Sequence, residues 1–141
     1  MKAFLLEKQQ AIESKPLKLK EISRPTPGPG EVVIKVNACG LCHTDLHVIE
    51  GELPPRKLPV IPGHQIVGLV EECGEGVRKI SAGVRVGVPW LYDTCGKCPL
   101  CTSGRENLCP DALFTGYDRD GGFAQFVKVP EDSAYPLPER L

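Results

Sequence analysis

Four of the seven cysteines lie close together between residues 95 and 109, in the spacing C-x2-C-x2-C-x7-C. A gap of two residues lets one tight turn bring neighbouring sulfur atoms onto a common ion, and Zn²⁺ takes four thiolates tetrahedrally in closed, structural sites. The spacing predicts a structural zinc site. We expect the surrounding stretch, about 91–113, to form a lobe that is held by its metal, because it has no strand periodicity. The predicted ligands are Cys95, Cys98, Cys101 and Cys109.

An iron–sulfur cluster and disulfide bonds compete with zinc as roles for these cysteines. Bacterial ferredoxins hold iron–sulfur clusters with C-x2-C-x2-C-x3-C-P, and Pro110 follows Cys109 here. The last gap is seven residues instead of three, however, and no second cysteine set accompanies it, so zinc is favoured. Disulfides are rare in a reducing compartment, and seven cysteines would leave one unpaired.

Composition and charge exclude several classes of function. Lys and Arg number 17 against 18 Asp and Glu, and no basic block suggests a nucleic-acid partner. The apolar run at the N-terminus stops at Glu7, short of the about 7 to 15 residues of a secretion signal. No stretch approaches the roughly 18 apolar residues of a membrane span. We therefore expect a cytoplasmic chain whose 141 residues form one domain, with a strand at the N-terminus.

The local pattern is rich in short strands, because 15 Gly and 14 Pro interrupt the chain frequently. Within 31–39 we expect Val33, Lys35 and Asn37 to share one face of a strand. One segment, 44–49, is predicted to be helical, with Thr44 as its cap. The predicted strands are 17–22, 31–39, 66–72, 84–88 and 123–129.

A second group of possible metal ligands is less distinctive by residue type alone. Cys42 could bind a metal, or it could pair with Cys39 as a redox C-x-x-C, although the βαβ context of that motif is lacking. His64 could be a metal ligand or a buried histidine satisfied by hydrogen bonds. Residue type leaves these alternatives open.

Longer motifs make the pattern more specific. G-H-Q-x-x-G-x5-G-x2-V at 63–77, GLCHTDLH at 40–47, the four-cysteine lobe and GYDRDGGFA at 116–124 all occur in the one chain. The chain resembles the N-terminal, GroES-like catalytic domain of zinc-dependent medium-chain alcohol dehydrogenases over essentially its whole length, except that Gln65 replaces the family's Glu. The resemblance implies a mainly β fold, a GroES-like partly open β-barrel with short helices and a zinc-binding lobe.

The resemblance also implies the ligands of a catalytic zinc. Cys42 and His64 match two protein ligands, and Gln65 offers a further oxygen. Asp45 matches the carboxylate that orients the ligand histidine. Removing the negative charge of the family's Glu leads us to expect a slightly more Lewis-acidic zinc that exchanges ligands less readily.

Several further positions match residues that act around that zinc. Thr44 and His47 correspond to a relay that carries the alcohol proton outwards, and His43 corresponds to a residue that holds the cofactor pyrophosphate. Leu53 and Trp90 fall where relatives line the substrate pocket. Cys39 and Cys73 remain as buried non-ligands.

The function implied is NAD(P)-linked interconversion of primary or secondary alcohols with aldehydes or ketones, through a zinc-bound alkoxide and hydride transfer. Zinc lowers the pKa of a bound oxygen, which explains the need for a metal. No dinucleotide fingerprint is present, since Gly74-Glu75-Gly76 continues to Lys79 where the last glycine would stand.

The resemblance therefore implies that the chain, 1–141, is the catalytic domain alone, without its Rossmann domain and inactive by itself. We expect it to retain the structural zinc and to bind the catalytic zinc weakly or not at all. The complete protein would be a homo-dimer or homo-tetramer. A non-catalytic zinc module that binds a partner is the alternative.

Overall fold

The computed structural model describes residues 1–138 and is built mainly of strands. A central five-stranded antiparallel sheet has the order β8-β3-β4-β5-β9, and two antiparallel pairs, β1-β2 and β6-β7, flank it. The strands are β1 (Lys2–Leu6), β2 (Leu17–Glu21), β3 (Glu31–Gly40), β4 (Gln65–Cys73), β5 (Arg85–Val88), β6 (Leu91–Asp93), β7 (Leu113–Phe114), β8 (Phe126–Pro130) and β9 (Tyr135–Pro136).

Strand β3 is an interior strand of the sheet, because it pairs with both β4 and β8. Two β-bulges, at Val33/Ile34 and between Val36 and Ala38, interrupt its register with β4. A bulge changes the face to which the following side chains point. The expectation that Val33, Lys35 and Asn37 share a face was therefore wrong: Val33 is buried, whereas Lys35 and Asn37 are exposed.

The main apolar core lies on one face of this sheet. Its side chains come from the strands of the central sheet and from the segments that close over them, and branched aliphatic residues predominate, as a half-buried pleated surface favours. Its fully buried members include Val32, Ile34, Ile66, Val86 and Val129.

Helix α1 (His43–Glu50) follows β3 directly and lies over a smaller apolar cluster. Its cap is Cys42 and not Thr44: the Cys42 sulfur accepts from the Thr44 backbone N–H, while the Asp45 carboxylate accepts from the Cys42 N–H. The helix ends at Gly51, whose φ of 93° is the left-handed conformation that glycine adopts freely. A helix was correctly expected here, and its cap was misplaced by two residues.

The cysteine-rich lobe is more regular than its sequence suggests. Strands β6 and β7 pair at its base, and a second helix, α2 (Pro99–Thr102), lies between them. Three short 3-10 helices, Ile12–Ser14, Glu106–Leu108 and Glu131–Ser133, complete the secondary structure of the described residues. Strands β6 and β7 are too short to give a periodicity in the sequence.

The predicted fold class is confirmed. The sheets bend around the core without closing, so the architecture is a partly open β-barrel with short helices and a lobe. Residues 1–138 include no helix that is long and apolar enough to cross a membrane. The expected boundary at Leu141 lies outside the described residues.

Candidate metal centres

The four lobe cysteines converge as their spacing predicts. The sulfur atoms of Cys98 and Cys101 are 3.5 Å apart, and those of Cys95 and Cys109 are 3.6 Å apart. The two cross distances, Cys95–Cys101 and Cys98–Cys109, are 3.9 and 4.0 Å. Four sulfurs held at about 2.3 Å around one zinc would be about 3.8 Å from each other. The thiols are free, and their positions fit a tetrahedral ion.

Local backbone structure produces this convergence. Cys98 is the N-cap of α2, with Pro99 at the first helical position, and its sulfur accepts from the Cys101 N–H at 3.5 Å. The backbone N–H groups of Lys97 and Cys98 stabilise the thiolate of Cys95 and lower its pKa to about 7. A metal binds the thiolate form, so this turn is already biased towards binding one.

The second cluster joins Cys42 and His64, which are 22 positions apart in the chain. The Cys42 sulfur lies 3.3 Å from His64 Nε2, and His64 Nδ1 lies 3.1 Å from an Asp45 oxygen. Asp45 and His64 are only 2% and 5% exposed. A thiol and an imidazole nitrogen bound to one tetrahedral zinc would be about 3.6 Å apart, close to the distance observed. In residues 1–138, this cluster and the lobe are the two groups in which three or more acidic, Cys or His donors could hold a metal.

Asp45 connects the parts of this cluster. One of its oxygens accepts from the Cys42 N–H at 2.9 Å, and the other accepts from the Gly63 N–H at 3.2 Å as well as facing the His64 ring. A carboxylate that accepts from Nδ1–H leaves the lone pair of Nε2 free for a metal and fixes the ring orientation. One buried side chain therefore positions both expected ligands.

The segment that carries His64 is held by close backbone packing. Gly63 has a φ of 95°, and a Cβ there would lie 2.6 Å from the Phe123 ring and 2.9 Å from the Cys39 sulfur. Residues 61–63 accept backbone hydrogen bonds from residues 121–123. Glycine is required at 63 for both conformation and space, which explains why glycine precedes the histidine.

Hydrogen bonds and charges within the cluster shift the pKa of both candidate ligands: they lower that of Cys42 and raise that of His64. The hydrogen bond from Thr44 is the largest cause that lowers the pKa of Cys42, and His64 lowers it further. Burial lowers the pKa of His64, but the hydrogen bond and charge of Asp45, together with Cys42, outweigh burial and raise it. A metal cation can replace the proton between these two groups.

The residues predicted to carry the proton and to contact the cofactor lie along α1. Thr44 contacts Cys42 through its backbone N–H, at 3.3 Å from the sulfur. His47 is one turn further along, and its Nδ1 lies 2.5 Å from a Glu52 carboxylate oxygen. The rings of His43 and His47 are 4.7 Å apart. Glu52 was missed by sequence reasoning, since nothing in its local pattern distinguishes it from any surface acid.

An aromatic stack forms one side of the second cluster. Trp90 meets the His64 ring edge-on at 4.8 Å and stacks on Phe114 at 5.0 Å and Tyr117 at 5.9 Å. Leu53 packs against the same apolar cluster. Trp90 and Leu53 thus pack against one apolar cluster, and their place in a substrate pocket stays a prediction.

The three remaining predicted positions, Gln65, Cys39 and Cys73, differ in their burial and contacts. The Gln65 amide oxygen lies 2.5 Å from where a Cβ of residue 40 would be, so Gln65 packs over the backbone of Gly40, its partner across the sheet. Cys39 is half-buried, and burial raises its pKa to about 11. Cys73 was expected to be buried and is exposed, because it is the last residue of β4.

The fold and the two donor clusters define a mainly β domain with two candidate metal centres. Residues 28–139 match the family described as the alcohol dehydrogenase GroES-like domain, and the chain belongs to that family. It is 50% identical over 128 residues to an alcohol dehydrogenase of Geobacillus stearothermophilus, covering 90% of this chain and 38% of that protein.

Solved structures of alcohol dehydrogenases have the same fold as this chain. A cobalt- and zinc-bound thermostable alcohol dehydrogenase from Pyrobaculum aerophilum superposes with a TM-score of 0.91 at 34% identity, over 100% of this chain and 42% of that one. The CAD of Helicobacter pylori, complexed with NADP(H), does so with a TM-score of 0.85 at 29% identity, over 99% and 42%. The chain thus spans about two-fifths of the length of these relatives.

Proposed function

We propose that this chain, 1–141, is the zinc- and substrate-binding part of a zinc-dependent, NAD(P)-linked alcohol dehydrogenase. The reaction is the interconversion of primary or secondary alcohols with aldehydes or ketones. The observation that carries the proposal is the cluster of Cys42, Asp45 and His64, two candidate metal ligands held by one buried carboxylate beside an apolar wall. The cofactor-binding domain lies outside this chain.

The two clusters have different roles in this proposal. The lobe, about 91–113, holds a structural zinc with four cysteines, because a closed set of four thiolates leaves no position for a substrate. The Cys42–His64 cluster holds the catalytic zinc, because its protein ligands leave positions open. Zinc, when bound there, lowers the pKa of an oxygen that it holds and so prepares an alcohol for oxidation.

The residues of α1 provide a route for the alcohol proton. The Thr44 hydroxyl lies at the start of the helix that Cys42 caps, and it accepts the proton from the substrate. His47 passes the proton on to solvent, since its side chain is 35% exposed, and the Glu52 carboxylate at its Nδ1 leaves Nε2 available to the proton route.

Hydride transfer requires a site from which water is excluded. Trp90 forms an apolar wall against the His64 ring, and Leu53 packs on the same apolar cluster as Trp90. These two side chains orient the carbon chain of the alcohol. Stacking on Phe114 and Tyr117 fixes the orientation of the Trp90 indole ring.

The cofactor contact proposed for this chain is His43, which is exposed at the first turn of α1 and can donate to a phosphate oxygen. The H. pylori relative, complexed with NADP(H), supports a nicotinamide cofactor, and the P. aerophilum enzyme supports zinc. We further propose a cytoplasmic homo-dimer or homo-tetramer for the complete enzyme.

Gln65 is proposed as a neutral neighbour of the catalytic metal. It follows His64 in the chain and carries a neutral amide in place of the negative charge of a glutamate, which leaves the metal more Lewis-acidic. Comparing the pH–rate profile of the complete enzyme with that of its Gln65→Glu variant tests this. An unchanged apparent pKa would reject it.

Metal binding by the chain tests the central assignment. Co²⁺ added to the apo chain should give one tightly held equivalent that Cys98→Ser removes, and a weaker second equivalent that Cys42→Ser removes. The two cobalt sites should have different absorption bands, because the lobe offers four sulfur ligands, whereas the Cys42–His64 cluster offers one sulfur and one nitrogen. Unchanged metal content in the Cys42→Ser variant of the complete enzyme would overturn the proposal. In the complete enzyme, the same substitution should abolish NAD(P)-linked alcohol oxidation.

A further inference from the structure

The chain contains three histidines, and only His64 belongs to the buried cluster. The remaining two, His43 and His47, are four residues apart on α1 and face the same side of the helix. His43 is exposed and His47 is partly exposed. Their ring centroids are 4.7 Å apart, and the rings are inclined at 59°.

This separation is that of two imidazoles sharing one ion. A ring nitrogen binds a first-row metal at about 2.0–2.1 Å, which places the centroids of two neighbouring ligand rings about 4.5–5 Å apart. Histidines at i and i+4 on one helical face are a recurrent chelating pair for the same reason. The centroid separation of the pair is therefore already suited to a shared metal.

Glu52 adds a second indication that His47 is prepared as a ligand. Its carboxylate lies 2.5 Å from His47 Nδ1, which directs Nε2 to the opposite side of the ring. The buried ligand His64 is arranged in the same way, with Asp45 at its Nδ1 and Nε2 towards Cys42. A carboxylate behind a histidine orients the ring for a metal.

We propose that His43 and His47, supported by Glu52, form a third metal site for a divalent transition ion. Imidazole donors select Ni²⁺, Cu²⁺ or Zn²⁺ over Mg²⁺ or Ca²⁺. Water fills the remaining coordination positions, since the site lies at the surface. This site is distinct from both cysteine clusters and needs no thiol.

The position of the site gives it a consequence that rests on the proposed function. His47 is the outer end of the proton route, and His43 is the proposed cofactor contact. An ion held between the two rings would block the His47 nitrogen that carries the alcohol proton. It would also block the His43 nitrogen that donates to the cofactor phosphate. Excess Ni²⁺ or Cu²⁺ therefore inhibits the complete enzyme.

Retention on immobilised Ni²⁺ tests the site without reference to catalysis. The untagged chain, first equilibrated with Zn²⁺ to fill the cysteine clusters and then freed of loosely held Zn²⁺ by desalting, should be retained and should elute with imidazole. Of its three imidazoles, that of His43 is exposed, that of His47 is partly exposed and that of His64 is buried. His43→Asn and His47→Asn should each pass through the column. Glu52→Gln should weaken solution binding of Ni²⁺, measured by titration calorimetry, by about tenfold. Glu75→Gln, an exposed carboxylate elsewhere, should leave it unchanged.

Two further results separate this site from the Cys42–His64 cluster. Cys42→Ser keeps a good helix N-cap, and it should be retained on the column as the original chain is. The proposal is overturned if the original chain passes through, if either histidine variant is still retained, or if Cys42→Ser abolishes retention. Circular dichroism of each variant establishes that it is folded. Failure of the cobalt experiment on the cysteine clusters would leave this result standing.

Discussion

Replacing Asp45 by asparagine removes one charge while keeping the shape of the side chain. Asp45 is 2% exposed and accepts from the N–H groups of Cys42, Gly63 and the His64 ring. The carbonyl oxygen of Asn can occupy only one of the two oxygen positions. If it takes the position facing Gly63 and His64, its NH2 group faces the Cys42 N–H, and two donors then oppose each other.

The magnitude follows from these contacts. A buried donor left without a partner costs about 1–3 kcal/mol, and the remaining two bonds lose the strength that an ionised acceptor gives them. We expect the free energy of unfolding to fall by about 2–4 kcal/mol in total. With a urea m-value of about 1–3 kcal/mol/M, the midpoint should fall by about 1–2 M. Metal affinity at the Cys42–His64 cluster should fall by about 10- to 100-fold.

Urea unfolding can be followed by the fluorescence of Trp90, the single tryptophan, which contacts the His64 ring. Metal affinity is measured by competition with a chelator in the same preparations. Asp111→Asn makes the same chemical change at an exposed position and is the matched control. Equal midpoints and equal metal affinities in the Asp45 and Asp111 variants would refute the role assigned to Asp45.

Three more perturbations have definite expected outcomes. Cys98→Ser should lower bound zinc by one equivalent per chain in metal analysis, whereas Cys73→Ser, at an exposed non-ligand position, should not. Tyr117→Phe removes the hydrogen bond from its hydroxyl to the loop after α1 and should lower the free energy of unfolding by about 1 kcal/mol in urea titrations. Burial raises the pKa of Cys39 to about 11 and that of Tyr92 to about 12. Because both are raised, their contribution to stability is complete below about pH 9 and is lost as the pH rises through the folded values, so the urea midpoint should decline above about pH 9. A midpoint that stays constant to about pH 11 would contradict this.

Local spacing made the lobe predictable, whereas the second cluster needed more than spacing. The cysteines of the lobe lie within one short segment, so tight turns alone bring them together. Cys42 and His64 meet because β3 and β4 pair in a register that sets Gly40 opposite Gln65. Residue types alone left that pairing open, and the family resemblance supplied it.

Some features could not be read from the sequence at all. The bulges in β3 follow from packing across the sheet, and they reversed the expected exposure pattern around Val33. The Glu52–His47 contact depends on the path of the loop after α1, which no periodicity encodes. Cys42 acts as a helix cap although cysteine is not among the preferred capping residues, so a propensity rule placed the cap at Thr44 instead.

The cap and the metal site have the same physical origin. The Asp45 oxygen that completes the capping arrangement with Cys42 belongs to the carboxylate that also orients His64. The start of α1 and the ligand geometry therefore form together, and a change that shifts the helix by one residue would separate the sulfur from the imidazole. A cysteine used as a cap is costly for helix stability compared with serine or aspartate, and its sulfur has a second use in holding a metal. Under the proposed function, the ligand requirement explains the unusual cap residue and the position at which the helix begins.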